Sequence, residues 1–339
     1  MIKEAIAKVA RRIDLTEIEM EKTMDEIMTG TATPAQIGSF ITGLSLKGET
    51  VDEITGAAKV MRAKAMRIGT RDGEWVVDTC GTGGDGKNTF NISTGVALVA
   101  AGGGLIVAKH GNRSVSSRCG SADVFEALGV NIHLPPERVQ ACLQEVGLAF
   151  LFAPLFHPAM KYSMAPRKEI GIRTIFNILG PLTNPAGANI QLLGVNREDL
   201  IRPVAEVLRN LGSKAAFVVH GEDHCDEISI TGKTTISQLK DGVILNYQME
   251  PEMVGLKRAG LEEIQGGTPE ENAKILLKVL LGEPGASRDV ILLNAAAVFT
   301  AAEKVSALQD GMEMAKESID SGMAIKKLKE FIQFSNHMR

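Results

Sequence analysis

At 339 residues, 44% of them hydrophobic and 23% charged, the chain has an ordinary globular composition, long enough for one large domain and a smaller one. A net charge of −4 argues against a broad basic surface for nucleic acid, and one Trp with two Tyr leaves few stacking platforms for single strands. Apolar runs stop well short of the about 18 residues a membrane span requires. No signal peptide is expected, because Met1-Ile2-Lys3-Glu4 opens directly into a charged amphipathic pattern. The four cysteines, Cys80, Cys119, Cys142 and Cys225, show neither metal-type nor scaffold-type spacing, which suits free thiols in a reducing cytoplasm.

Residues 1–72 read as helices only. Ile2, Ile6, Val9 and Ile13 mark one apolar face at helical spacing. Thr16/Glu19, Thr33/Gln36 and Thr50/Glu53 each form the Ser/Thr-x-x-Glu/Gln capping box of a helix start. Pro34 supplies a first-turn proline and Gly48 a stop. This four-helix bundle carries too little apolar mass to stand alone, so it should pack on the rest of the chain or on a second subunit.

From residue 73 to 339 the pattern is α/β. Val76 to Cys80 is a strand, followed by the loop Gly81-Thr82-Gly83-Gly84-Asp85-Gly86-Lys87-Asn88 and an Ala/Val/Gly helix. Leu105 to Ala108 is a second strand and runs into Lys109-His110-Gly111-Asn112-Arg113. Ser121 can cap a helix ending at Gly129, Pro135 opens another, and Leu148 to Phe152 is a buried strand. After a helical block from His157 to Pro185, which breaks at Pro166, alternation resumes with a strand to Val195, a helix at about 200–211 and a strand from Ala215 to His220. Short β-type runs follow at 228–230, 234–239 and 243–247, and Thr268-Pro269-Glu270-Glu271 caps a helix. The last 50 residues are helical by period. Such alternation implies a mostly parallel sheet with ligands at the carboxyl ends of its strands.

The glycine-rich loop offers bare backbone N–H groups to a phosphate, and the helix start behind it adds positive dipole. Between Gly86 and Ala122 there is no Asp or Glu, while Lys87, Lys109, Arg113 and Arg118 lie inside, so a polyanion pocket is expected. Two nucleotide motifs match formally. Gly81-x-Gly83-x-x-Gly86 lacks the later acid for a ribose, since the next strand ends in Lys109. Gly81-x-x-x-x-Gly86-Lys87 is a P-loop with Asn88 where Ser or Thr should bind Mg²⁺. Both read as decoys.

Asp78-Thr79-x-Gly81-Thr82-Gly83-Gly84-Asp85, Asn91-x-Ser93-Thr94, Lys109-His110-Gly111-Asn112-Arg113 and Gly120-Ser121-Ala122-Asp123 together resemble the anthranilate phosphoribosyltransferases, in the family's order and over almost the whole chain. The resemblance implies a small helical domain, residues 1–72 joined by helices from about 160–187, hinged to a larger α/β domain of residues 73–339. It also implies a homodimer through the helical domain. The implied reaction passes the 5-phosphoribosyl group of phosphoribosyl diphosphate to the amine of anthranilate, giving N-(5-phosphoribosyl)anthranilate and pyrophosphate in tryptophan biosynthesis. Gly81, Thr82, Gly83, Gly84, Asp85, Thr89, Asn91, Ser93, Thr94, Lys109 and Ser121 would hold the phosphoribosyl diphosphate. Gly81, His110, Asn112 and Arg167 would hold anthranilate, Arg167 gripping its carboxylate. Two Mg²⁺ ions are implied, with Ser93, Asp226 and Glu227 as ligands.

Catalysis would be positioning and electrostatics, supported by Lys109 and Arg167, with no essential general base. Ser93 and Ser121 could also serve as helix caps, Arg167 as a helix-end salt bridge, and Asp226-Glu227 as a solvated acidic pair. His224-Cys225 departs from the glycine and apolar residue that commonly precede this pair. That departure bears on the loop's shape and would favour a softer metal. The rival readings are a pyrimidine-nucleoside phosphorylase of related architecture and a nucleic-acid-binding paralogue. The Lys109–Arg113 signature, the acidic pair and the absence of a basic surface argue against them.

Overall fold

A computed structural model describes residues 1–71, 73–114 and 118–337. The expected lobe boundary at 72 and the end of the terminal helix at 338–339 lie outside the described residues. Four helices open the chain: α1 (Ile2–Val9), α2 (Glu17–Met28), α3 (Pro34–Lys47) and α4 (Val51–Lys64). All three expected capping boxes close, at Thr16, Thr33 and Thr50, and α3 stops at Gly48 with φ +91. The first helix is shorter than its apolar face suggests; Ile13 falls beyond it and is 43% exposed.

The α/β part follows as β1 (Val76–Gly81), α5 (Ile92–Gly102), β2 (Ile106–Gly111), α6 (Ser121–Ala127), α7 (Pro136–Val146) and β3 (Leu148–Phe152). Helices α8 (Ala153–Phe156), α9 (Lys161–Ile170) and α10 (Ile175–Leu182) form the middle block. Helix α9 passes through Pro166 instead of breaking there. Then come β4 (Ile190–Gly194), α11 (Ile201–Asn210), β5 (Ala215–Gly221), β6 (Thr234–Lys240), β7 (Val243–Met249), α12 (Pro269–Leu280), α13 (Ala286–Ala301), α14 (Leu308–Asp320) and α15 (Met323–Asn336). Residues 228–230 form no strand: the Ser229 hydroxyl bonds Asp223 at 2.7 Å, and its N–H bonds the Thr234 hydroxyl at 2.9 Å.

The seven strands run in the order β3-β2-β1-β4-β5-β6-β7, parallel through β5 and antiparallel for the last two pairings. Side chains alternate between two cores. Leu192 and Phe217 face a large cluster with α5, α7, α13 and α15, whereas Leu193, Ala216 and Val218 face a second one. That second cluster is shared with α1–α4, α10 and α11. The bundle therefore completes its core on one face of the sheet, as its small apolar mass required. Successive strands advance from β1 to β3 on one side, and β4 then returns to the other side of β1. This reversal leaves a crevice above the carboxyl ends of β1 and β4, where ligands of open α/β sheets collect.

Candidate active site

Strand β1 ends at Gly81, paired in register with Gly194 at the end of β4. The turn beyond is clamped at its rim. Thr82 donates its N–H to the Gly194 carbonyl at 2.9 Å, and its hydroxyl exchanges bonds with the Asn196 amide oxygen (3.2 Å) and N–H (3.1 Å). Gly83, Gly84 and Gly86 have φ of +61, +74 and +72, a sequence of left-handed residues that only glycine adopts freely. No helix follows directly. Residues 88–90 lie against 264–266, with an isolated bridge between Thr89 and Gln265 and an N–H bond from Gly266 to the Asn88 carbonyl at 2.8 Å. Helix α5 begins only at Ile92. A P-loop or dinucleotide turn needs its helix immediately after the glycines, so both motif matches fail on geometry.

Asn91 caps α5 with its backbone alone. Its carboxamide turns aside, donating to the Cys119 carbonyl (3.2 Å) and accepting from Asn272 Nδ2 (2.9 Å). Neither expected serine cap exists. Ser93 is the second residue of α5, and its hydroxyl accepts a bond from Lys109 Nζ at 3.2 Å. Ser121 is the first residue of α6, after Gly120 at the cap; its hydroxyl donates to the Asn112 carbonyl at 3.4 Å, and the Asp123 carboxylate takes the Gly120 N–H instead. Thr94 is fully buried with no partner for its hydroxyl among the described residues. Lys109 is buried too, its ammonium held between the Thr79 carbonyl and Ser93. Burial lowers its pKa, and the nearby Asp78 carboxylate resists that shift. Asp78, pushed up to about 6 by burial, is held in turn by the His110 N–H (3.1 Å) and Asn184 (2.8 Å).

The acidic pair arrives from the other side of the crevice. Asp226 sits where side chains on Gly81 and Gly194 would stand, and its Oδ2 accepts the Gly83 N–H at 2.9 Å. Glu227 lies near the Ser93 backbone at the start of α5. The Asp226 carboxylate thus occupies a donor otherwise free for an anion. Both acids are half-buried, and neither forms an ion pair among the described residues. Burial and the neighbouring Asp85 push Asp226 up to about 6; burial and Asp226 push Glu227 well above the usual range. Carboxylates desolvated side by side raise one another in this way. His224 holds φ +66, so the loop keeps a left-handed turn without glycine. Cys225 is buried, and its thiol is raised by burial and by Asp223, away from the thiolate a soft metal needs.

The Arg167 guanidinium, near the end of α9, lies over the Phe176 ring at 5.0 Å and is partly desolvated, with no side-chain hydrogen bond or ion pair among the described residues. It is not a helix-end salt bridge. His110 and His157 stand with ring centroids 5.1 Å apart, both buried. His110 Nδ1 bonds the Gly180 carbonyl at 3.2 Å, and Nε2 of both rings has no partner among the described residues. Burial lowers their pKa values to about 3 and 4, so both are neutral at pH 7. An apolar ring, an unpaired guanidinium and open imidazole nitrogens suit a flat aromatic acid.

The profile described as glycosyl transferase family, a/b domain, matches residues 73–325, and its helical bundle domain matches residues 3–65. A protein of Moorella thermoacetica named anthranilate phosphoribosyltransferase is 56% identical over 332 residues, covering 98% of both chains. One of the same name from Acetivibrio thermocellus is 53% identical over 336 residues, 99% of this chain and 97% of that one.

The chain belongs to the anthranilate phosphoribosyltransferase family.

The Thermus thermophilus anthranilate phosphoribosyltransferase structure superposes with a TM-score of 0.92 at 44% identity, covering 98% of this chain and 99% of that one. The Saccharomyces cerevisiae enzyme, solved with PRPP and Mg, superposes at 0.91 with 30% identity, covering 99% of this chain and 98% of that one. The chain is thus a phosphoribosyl-transferring enzyme of the glycosyl transferase class and not a phosphorylase or a nucleic-acid-binding paralogue. Sequence reasoning assigned no role to His157, Arg173, Asn184, Asn196 or Asn272, although each touches a site residue named from sequence or a neighbour of one. Only His157 carried a signal, as one of six histidines in the chain.

Proposed function

We propose that the crevice between β1 and β4 transfers the 5-phosphoribosyl group of phosphoribosyl diphosphate to the amine of anthranilate, through the residues named from sequence. The observation that carries this reading is the convergence of four features on one crevice. These are the left-handed glycine turn, the start of α5, and an acidic pair and Arg167 that form no ion pairs among the described residues. The backbone of Gly81–Asp85, with Thr89, Asn91, Ser93, Thr94, Lys109 and Ser121, holds diphosphate and ribose. Arg167 grips the anthranilate carboxylate, while Gly81, His110 and Asn112 shape its slot.

Two Mg²⁺ ions fit the donor set, one through the Ser93 hydroxyl and one through Asp226 and Glu227. No cage of three or more His, Cys, Asp or Glu exists among the described residues, which suits a cation bound mainly by diphosphate oxygens. When bound, Mg²⁺ neutralises charge on the diphosphate. Asp226 and Glu227 would hold the cation, which would leave the Gly83 N–H now taken by Asp226 to the anion. The bond from the anomeric carbon to the diphosphate oxygen breaks with its electron pair on pyrophosphate. The amine nitrogen bonds that carbon and gives its proton to solvent. His110 and His157, neutral in this pocket, accept hydrogen bonds from the amine and orient it.

The lobe division at 72/73, with 160–187 returning to the bundle, agrees with the second core cluster. Dimerisation through the bundle would cover Leu46 and Met164, which are 73% and 62% exposed. The test is anthranilate fluorescence followed with Mg²⁺, with and without phosphoribosyl diphosphate. A change that requires both is expected, Lys109→Ala should suppress it more than Lys87→Ala, and no change would overturn the reading.

A further inference from the structure

Arg173 lies outside every role assigned so far, yet its guanidinium is laid directly on the glycine turn. Its Nη2 donates to the Thr82 carbonyl at 3.4 Å and to the Asn196 amide oxygen at 3.3 Å, both long and both neutral. Its Nη1 fills the place where a side chain on Gly84 would stand, so glycine there serves the guanidinium as well as the turn's φ of +74. Asp226 and Asp85 act on it through space, but it forms no ion pair among the described residues. A guanidinium carries five N–H donors in a rigid fork, and two long contacts leave most of them open. The residue also belongs to the other wall of the crevice: its carbonyl accepts a bond from the Ser45 hydroxyl of α3 at 3.2 Å.

We propose that Arg173 is a second anion-binding arginine, reaching from the helical wall to hold the diphosphate and neutralise pyrophosphate as it leaves. The inference rests on the phosphoribosyl-transfer reading and adds a residue to it. The physical need is plain. Asp85, Asp226 and Glu227 crowd the turn with negative charge, and a departing diphosphate adds more on the side facing solvent. The turn itself contributes only backbone donors, and Lys109 is buried beneath it. Arg173 is the side chain placed to meet the exposed face, with a fork that matches phosphate oxygens. Because its backbone is tied to α3, the contact also joins the two walls when the anion is present.

Two arginines then divide the substrates, Arg167 taking the carboxylate and Arg173 the diphosphate. The experiment is calorimetric titration of inorganic pyrophosphate with Mg²⁺ into the full chain, in wild type, Arg173→Gln and Arg173→Lys, with KM measured for both substrates and the thermal midpoint recorded. Arg173→Gln should weaken pyrophosphate binding and raise KM for phosphoribosyl diphosphate roughly 10- to 150-fold, the range for a lost charge-assisted pair. The KM for anthranilate and the midpoint should stay unchanged, and Arg173→Lys should recover part of the loss. Unaltered pyrophosphate affinity in Arg173→Gln overturns the proposal. So do equal losses for both substrates with a lowered midpoint, which would make Arg173 a tie between the walls. A wild-type chain that binds no pyrophosphate removes the transfer reading itself, and this inference with it.

Discussion

Arg167 is partly desolvated against Phe176 and pairs with no acid among the described residues. Removing a charge from water without a partner costs stability, so the arrangement makes sense when a ligand brings the carboxylate. Arg167→Ala should raise KM for anthranilate roughly 10- to 150-fold in initial-rate assays and leave KM for phosphoribosyl diphosphate nearly unchanged. Equal changes in both would mean that Arg167 organises the crevice instead. His224 makes a different kind of prediction. Its φ of +66 is disfavoured for a side-chain-bearing residue, and its exposed imidazole makes no hydrogen bond among the described residues. The left-handed penalty of about 1–2 kcal/mol exceeds the entropic cost of glycine, about 0.5–1 kcal/mol. His224→Gly should therefore stabilise the chain by about 0.5–1 kcal/mol in urea unfolding, with activity retained. A loss of stability would show that the imidazole, 5.7 Å from the His220 ring, packs usefully.

Among the elements, the segment leading into α12 does more than cap a helix. Thr268 and Glu271 close the expected box, yet Asn272 one residue later is buried and reaches back to the site. Its Oδ1 accepts the Gly267 N–H at 2.7 Å, which fixes the amide so that Nδ2 donates to Asn91. Asn272→Ala leaves the Gly267 N–H unpaired and should cost roughly 1–3 kcal/mol in unfolding. Asn272→Asp keeps the Gly267 bond but sets an acceptor against Asn91 Oδ1, so the Asn91 carboxamide must turn over. That variant should recover part of the stability while its KM for phosphoribosyl diphosphate stays raised. Recovery of both together would reduce Asn272 to a structural role.

For the whole molecule, the buried histidine pair links stability to pH. Their folded pKa values, about 3 and 4, lie below the ordinary 6.5, so the unfolded chain binds more protons between those limits. Their contribution is present above pH 6.5 and is lost as pH falls, by up to about 1.4 kcal/mol per pH unit for each ring. Asp78 and Asp226, raised to about 6, act in the opposite sense, so the informative quantity is a difference. His157→Gln should lose stability less steeply than wild type between pH 6.5 and 4, and parallel urea midpoints would contradict the neutral pair. Ligand linkage supplies a second check. Phosphoribosyl diphosphate with Mg²⁺ at 100 times its Kd should stabilise the chain by about 2.7 kcal/mol, and EDTA should abolish most of that gain.

Local chemistry made much of this legible in the residues themselves. Capping boxes at Thr16, Thr33 and Thr50 closed because the signal and its partner lie within one helical turn. The buried strand at 148–152 and the parallel alternation were equally readable, since a sheet covered on both faces requires continuous apolar runs. The family, and with it the chemistry, was carried by the motifs at 78–85, 91–94, 109–113 and 120–123. Other features depend on pairings across long sequence distances, which no local pattern encodes. Only the folded chain decided that β4 lies beside β1, which opens the crevice and brings Asp226 onto Gly81 and Gly83. Only packing decided that Ser93 and Ser121 cap nothing, because Asn91 and Gly120 took the cap positions first. Sequence reasoning assigned Arg173 and Asn272 no role. They became parts of the site because close packing delivered a guanidinium to Gly84 and an amide to Asn91, each from an element far along the chain.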